Sequence, residues 1–105
     1  MSVDILEEIK IDEKIKHETE EPSKYKVVML NDNSTPMEWV IEVLMTIFSH
    51  SQETAEQITL QIHNEGSAIT GIYTYEIAEQ KGIEVTLDAR NQGYPLQVKV
   101  EAEKV

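Results

Sequence analysis

The chain has 105 residues, a mass of 12.0 kDa and 40% hydrophobic content, enough for one small domain around one core. It contains no cysteine, which excludes disulfide frameworks and thiolate metal sites and gives no reason to place it in an oxidising compartment. A net charge of -11, with a pI near 4.6, excludes phosphate-backbone binding through a basic stripe and points to cationic or hydrophobic partners rather than nucleic acid.

Residues 1–22 hold eight acidic residues against three lysines, and their apolar residues (Ile5, Leu6, Ile9, Ile11, Ile15) are too sparse and irregular to build a core. They read as a flexible acidic N-terminal extension ending at Glu21-Pro22-Ser23, with one folded domain over 23–105. The first residues lack the basic flank and apolar run of a signal peptide, and no stretch approaches bilayer-spanning length. The expectation is a cytoplasmic protein with no membrane partner.

From Lys24 the run Tyr25-Lys26-Val27-Val28-Met29-Leu30 predicts a buried strand. Asn31-Asp32-Asn33-Ser34 follows as a polar turn. Thr35 reads as the N-cap of a helix, Pro36 as its first residue and Glu38 as the partner of a capping box. That helix carries Met37, Val40, Ile41, Leu44, Ile47 and Phe48 on one apolar face, with Trp39 at its margin. Ser51 starts a second helix, with Ala55, Ile58, Thr59 and Ile62 inward, which Asn64-Glu65-Gly66 ends. A strand over Ser67 to Tyr73 follows. A third helix, capped by Thr74, runs to about Asn91 and carries Ile77, Ala78, Val85 and Ala89. Gly93-Tyr94-Pro95 stops it, and Leu96 to Glu101 alternates as a last strand. The order β-α-α-β-α-β predicts an α/β (α+β) sandwich, a three-stranded sheet packed against three helices.

No nucleophile elbow, metalloprotease helix or phosphate-cradling loop is present, so the expectation is a non-enzyme without metal or cofactor. Asp32-Asn33-Ser34 resembles the start of a calcium loop, but Met37 stands where that loop needs glycine and Val43 where it needs glutamate. A hydrolase built on Ser34, His63 and Asp32 is the remote enzymatic alternative.

The run Tyr25 to Val40, with its Asn31-Asp32-x-x-Thr35-Pro36-Met37-Glu38 core, resembles the ClpS adaptor family. The resemblance extends through Ile62-His63, Gly66, Gly71-Ile72-Tyr73, Glu76-Ile77-Ala78-Glu79, Lys81, Ala89-Arg90 and Tyr94-Pro95-Leu96. It implies a protease adaptor that binds proteins beginning with Leu, Phe, Tyr or Trp and delivers them to a Clp AAA+ unfoldase, ClpA- or ClpC-like. The domain would act as a monomer. A free α-amino group, with a pKa of about 7.7 to 8.0, is largely cationic at neutral pH and suits Asn, Asp and neutral His acceptors.

Carried over by position, the resemblance implies α-amino binding by Asn31, Asn33 and His63. It implies a hydrophobic pocket lined by Asp32, Thr35, Met37, Val40, Thr59, Ile62 and Leu96, with Met37 excluding β-branched first residues. Glu76 and Lys81 would dock on the unfoldase, and the acidic extension would act during delivery. The chain departs from the family pattern at Asn33, where an aspartate is usual, at Ser34, where tyrosine is frequent, and at Thr59, where methionine is frequent. Asn33 supports an alternative reading, a degenerate paralogue that docks on the unfoldase and competes with other substrates. Gly82 inside the third helix costs about 1 kcal/mol relative to alanine.

Overall fold

The structure is a computed structural model and describes residues 23–103, together with the backbone of Lys10–Asp12. Its elements are β1 (Lys10–Asp12), β2 (Lys24–Leu30), α1 (Met37–Thr46), α2 (Gln52–Glu65), β3 (Ser67–Thr74), α3 (Tyr75–Gln92) and β4 (Gln97–Ala102). The three helices and the antiparallel strands β4, β2 and β3 form the expected sandwich. To this, β1 adds a short fourth strand, giving the order β1-β4-β2-β3, with β1 parallel to β4. These three residues fall within the acidic extension of 1–22; the rest of that extension lies outside the described residues.

β2 is the centre of the sheet because its β-branched and long apolar residues can be buried along its whole length. Tyr25, Val27 and Met29 face the helices and are essentially inaccessible, while Lys26 and Val28 take the opposite face. The ladder with β3 is interrupted between Val27 and Val28, where Thr70 is the extra residue of a bulge. The buried Thr70 hydroxyl donates to the Val27 carbonyl at 3.0 Å, so the irregularity leaves that polar group satisfied.

The helical layer closes over this face with Val43 and Leu44 from α1, Ala55 and Ile62 from α2, and Ala78, Val85 and Ala89 from α3. The small residues of α3 let it lie close across the sheet, and Gly82 is buried without breaking the helix. Ser51 caps α2 by accepting the Thr54 N–H at 3.2 Å. Gly66 and Gly93 end α2 and α3 at φ +93° and +80°, a backbone region in which a side chain is strained. Trp39, half-buried, covers a core edge in an edge-on contact with Tyr94, 5.3 Å between centroids.

Three local expectations are corrected. α1 begins at Met37 with Pro36 in the N-cap position and no side-chain cap, because the Thr35 hydroxyl is drawn back to Asp32 instead. α1 also stops at Thr46, so Ile47 and the buried Phe48 pack from the connection beyond it, where Ser49 reverses the chain at φ +61°. Ile77 is 45% exposed: it sits in the first turn of α3, beyond the part that crosses the sheet. Thr74 holds the N-cap position of α3 without a side-chain bond.

Leu44 of α1 is fully buried in the core. Leu44→Ala is expected to lower the unfolding free energy by about 2–5 kcal/mol, measured by urea denaturation with an unchanged m-value.

Candidate functional site

The turn after β2 is organised by one carboxylate. Asp32 Oδ1 accepts the backbone N–H groups of Ser34 (2.7 Å) and Thr35 (2.8 Å), and the Thr35 hydroxyl donates to Oδ2 at 2.8 Å and to Oδ1 at 3.0 Å. Such an Asx-type arrangement suits aspartate because its short side chain reaches N–H groups two and three residues ahead. The turn is tied to the end of α2 by a second link, the Asn31 N–H donating to the Gly66 carbonyl at 2.9 Å. Gly66 N–H in turn donates to the Ile62 carbonyl, also at 2.9 Å, so the last turn of α2 is held against the end of β2.

These constraints border an open surface cavity of about 20 Å³. Leu30, Asn31, Asp32 and Thr35 border it from the turn, Met37 and Val40 from α1. Thr59, Ile62 and His63 border it from α2, and Leu96 from the segment before β4. Val40, Thr59, Ile62 and Leu96 form its buried wall, while Asn31, Met37 and His63 are exposed at the surface. The Thr59 hydroxyl donates to its own helix at the Ala55 carbonyl, 2.8 Å, so its polar atom is satisfied within α2.

The structure therefore brings nine of the sequence-predicted residues around one cavity. Asn33 is not among the lining residues; it is exposed on the turn, as is Ser34. Leu30 lines the cavity and was not anticipated, its place at the end of an apolar strand marking it only as core. Arg90 was not anticipated either. Its guanidinium donates to the carbonyls of Tyr94 (2.8 Å) and Leu96 (2.9 Å), which sets the course of the chain that carries Leu96 to the cavity. Among the described residues, no group of three or more His, Cys, Asp or Glu could hold a metal ion, and no helix is long and apolar enough to cross a membrane.

Glu76 and Lys81 lie away from this cavity on α3, five positions apart and so about 140° around the helix. Glu76 is exposed in the first turn, where a negative charge complements the helix dipole. Lys81 is half-buried: its ammonium donates to the Ile47 carbonyl at 2.7 Å and stands over the rings of Phe48 (5.8 Å) and Tyr73 (5.3 Å). It thus joins α3 to the end of α1 and has a structural role of its own.

Burial pushes the Tyr73 phenol above its ordinary pKa of 10.0. The unfolded chain therefore ionises this tyrosine first, so the associated stability is intact below pH 10 and declines as pH rises beyond it. Phenolate absorbance is expected to show a late-titrating component from Tyr73, and Tyr73→Phe should remove that component and shallow the alkaline loss of stability.

Comparison with known proteins matches residues 20–99 to the family described as ATP-dependent Clp protease adaptor protein ClpS. An ATP-dependent Clp protease adapter protein ClpS from Treponema denticola is 48% identical over 81 residues, covering 77% of this chain and 80% of that protein. One from Campylobacter jejuni is 52% identical over 83 residues, covering 79% and 86%. The solved structure of Agrobacterium tumefaciens ClpS2 bound to L-phenylalaninamide superposes with a TM-score of 0.77 at 37% identity, covering 79% of this chain and all of that one. A family match over most of the described domain, relatives near half identity and a shared fold lead to one conclusion: the chain belongs to the ClpS family of Clp protease adaptor proteins.

Proposed function

We propose that this adaptor binds proteins whose first residue is bulky and hydrophobic, Leu, Phe, Tyr or Trp, and delivers them to a Clp AAA+ unfoldase of the ClpA or ClpC kind for degradation. The α-amino group is held by Asn31 and His63, with Asn33 as an outer polar neighbour, and the first side chain enters the cavity walled by Val40, Thr59, Ile62 and Leu96. Met37, 38% exposed, stands at the mouth, where a flexible thioether excludes β-branched side chains. The carrying observation is that polar acceptors and an apolar wall border the same cavity. An amine and an apolar side chain attached to one carbon need that juxtaposition. L-phenylalaninamide, the molecule bound to Agrobacterium tumefaciens ClpS2, has the same pairing of groups.

Glu76 and Lys81 serve the unfoldase contact, and the acidic extension of 1–22 serves delivery, with 23–105 acting as a monomeric, cytoplasmic binding domain that needs no cofactor. A peptide beginning with a free-amine phenylalanine should bind with saturable affinity by fluorescence titration, whereas its N-acetylated twin should not. Failure of both, with the domain folded and still bound to the unfoldase, would favour the paralogue reading, which the exposed Asn33 outside the cavity supports.

Thr59 takes less volume than the methionine frequent in the family, and its hydroxyl is satisfied at Ala55, so the wall gains room without an unpaired polar atom. Competition among Trp-, Phe- and Leu-initiated peptides should favour the aromatic ones. A clear preference for Leu would refute this reading of the wall.

A further inference from the structure

At the outer edge of the sheet, β1 pairs in parallel with β4, in a register that sets Lys10 opposite Lys99, Ile11 opposite Val100 and Asp12 opposite Glu101. Two of these three positions set like charge against like, which destabilises a pairing, and parallel ladders are already the weaker kind per residue. The charges of β4 are also engaged within the domain: the Glu101 carboxylate takes Lys99 at 2.9 Å and Lys26 at 3.9 Å. Chain connectivity does not force the contact either. β4 alone separates β1 from β2, a gap of two strand spacings, about 10 Å. The eleven residues 13–23 that join β1 to β2 could span about 36 Å when extended. β1 is therefore a three-residue edge strand, mismatched in charge and joined by a connection far longer than the gap. Such a pairing opens readily and re-forms within the same molecule.

We propose that β1 is a releasable latch: docked on β4, it withholds the acidic extension from the unfoldase, and its release makes the extension available for delivery. The proposal rests on the delivery role proposed above for residues 1–22 and adds its regulation. The consequence is one of reach. With Lys10 held at the edge of β4, only residues 1–9 precede the anchored point, at most about 30 Å of chain. With β1 released, the whole of residues 1–22 is carried from Ser23, at most about 73 Å of chain. The charge mismatch keeps the two states close in free energy, so a modest preference of a partner for the released extension shifts their populations.

The test compares the full chain with Ile11→Pro and with the double variant Lys10→Glu, Asp12→Lys. Proline lacks a backbone N–H and fits a ladder poorly, so Ile11→Pro undocks β1. The double variant keeps the net charge of -11 and sets opposite charges at both mismatched positions, so it tightens the latch. Amide hydrogen exchange in Gln97–Ala102 is expected to rise several-fold in Ile11→Pro and to fall several-fold in the double variant. Affinity for the free-amine phenylalanine peptide should stay unchanged in both, which also shows that each is folded. Degradation of a phenylalanine-initiated protein by a ClpA- or ClpC-like unfoldase with its protease should speed up several-fold with Ile11→Pro and slow by a similar factor with the double variant. Exchange that ignores both variants would overturn the latch. Exchange that responds while degradation does not, or degradation that slows with Ile11→Pro, would overturn its part in delivery and leave the adaptor reading standing. Failure of the unaltered chain to promote that degradation, with the unfoldase active on other substrates, would instead overturn the adaptor reading and the latch's part in delivery with it.

Discussion

Asp32 accepts two backbone N–H groups and a hydroxyl within three residues of itself, and this cage determines how the central strand β2 passes into α1. An isolated turn of this polarity would sample many conformations in water. Held by a carboxylate, it has one shape, and the groups around it acquire fixed positions. The cost appears at α1, whose N-cap position is left to Pro36 without a side-chain acceptor. A frequent helix-start signal is thereby traded for a rigid turn at the rim of the cavity.

The cavity depends on three chain connections meeting at the same end of the sheet. The β2–α1 turn brings Asn31 and Asp32. Gly66, in a left-handed conformation, lets α2 end abruptly so that its carbonyl meets the Asn31 N–H and places Ile62 and His63 alongside. Arg90 grips the chain after α3 by two carbonyls and so brings Leu96 to the wall. Full burial of one apolar side chain contributes about 1.5–3 kcal/mol, too little on its own to select one protein from another. Under the proposed function, coupling that burial to recognition of a terminal amine supplies the discrimination, because an internal residue has the side chain but not the amine.

The internal contacts of Lys81 are physically compatible with the docking role proposed for it. Its ammonium satisfies a carbonyl at the end of α1, where the helix dipole is negative, and its charge lies over two aromatic rings. Loss of this residue removes an internal bond as well as a surface charge. Glu76, exposed in the first turn of α3, is the cleaner probe of a docking surface on that helix.

Much of the fold is legible in the sequence because its signals are local: strand propensity in Val27-Val28, a serine cap before α2, glycines where α2 and α3 end, and period-two alternation in β4. The family is legible as well, through a motif of contiguous residues around Asn31 and Asp32 and a resemblance extending to Leu96. The shift of the α1 cap from Thr35 was not legible, because its hydroxyl could either accept a helix N–H or donate to a carboxylate, and in the structure it donates to Asp32 three residues back. Nor were the parallel pairing of Lys10–Asp12 with β4 and the bulge at Thr70, which join segments distant in sequence. The grip of Arg90 on Leu96 spans only six residues, but it carries no sequence signal because it is made to backbone carbonyls. Local propensity and motif determined the elements and the chemistry on offer. Only the tertiary structure decided which of those groups border one cavity, because side chains from separate elements converge only once the core has packed.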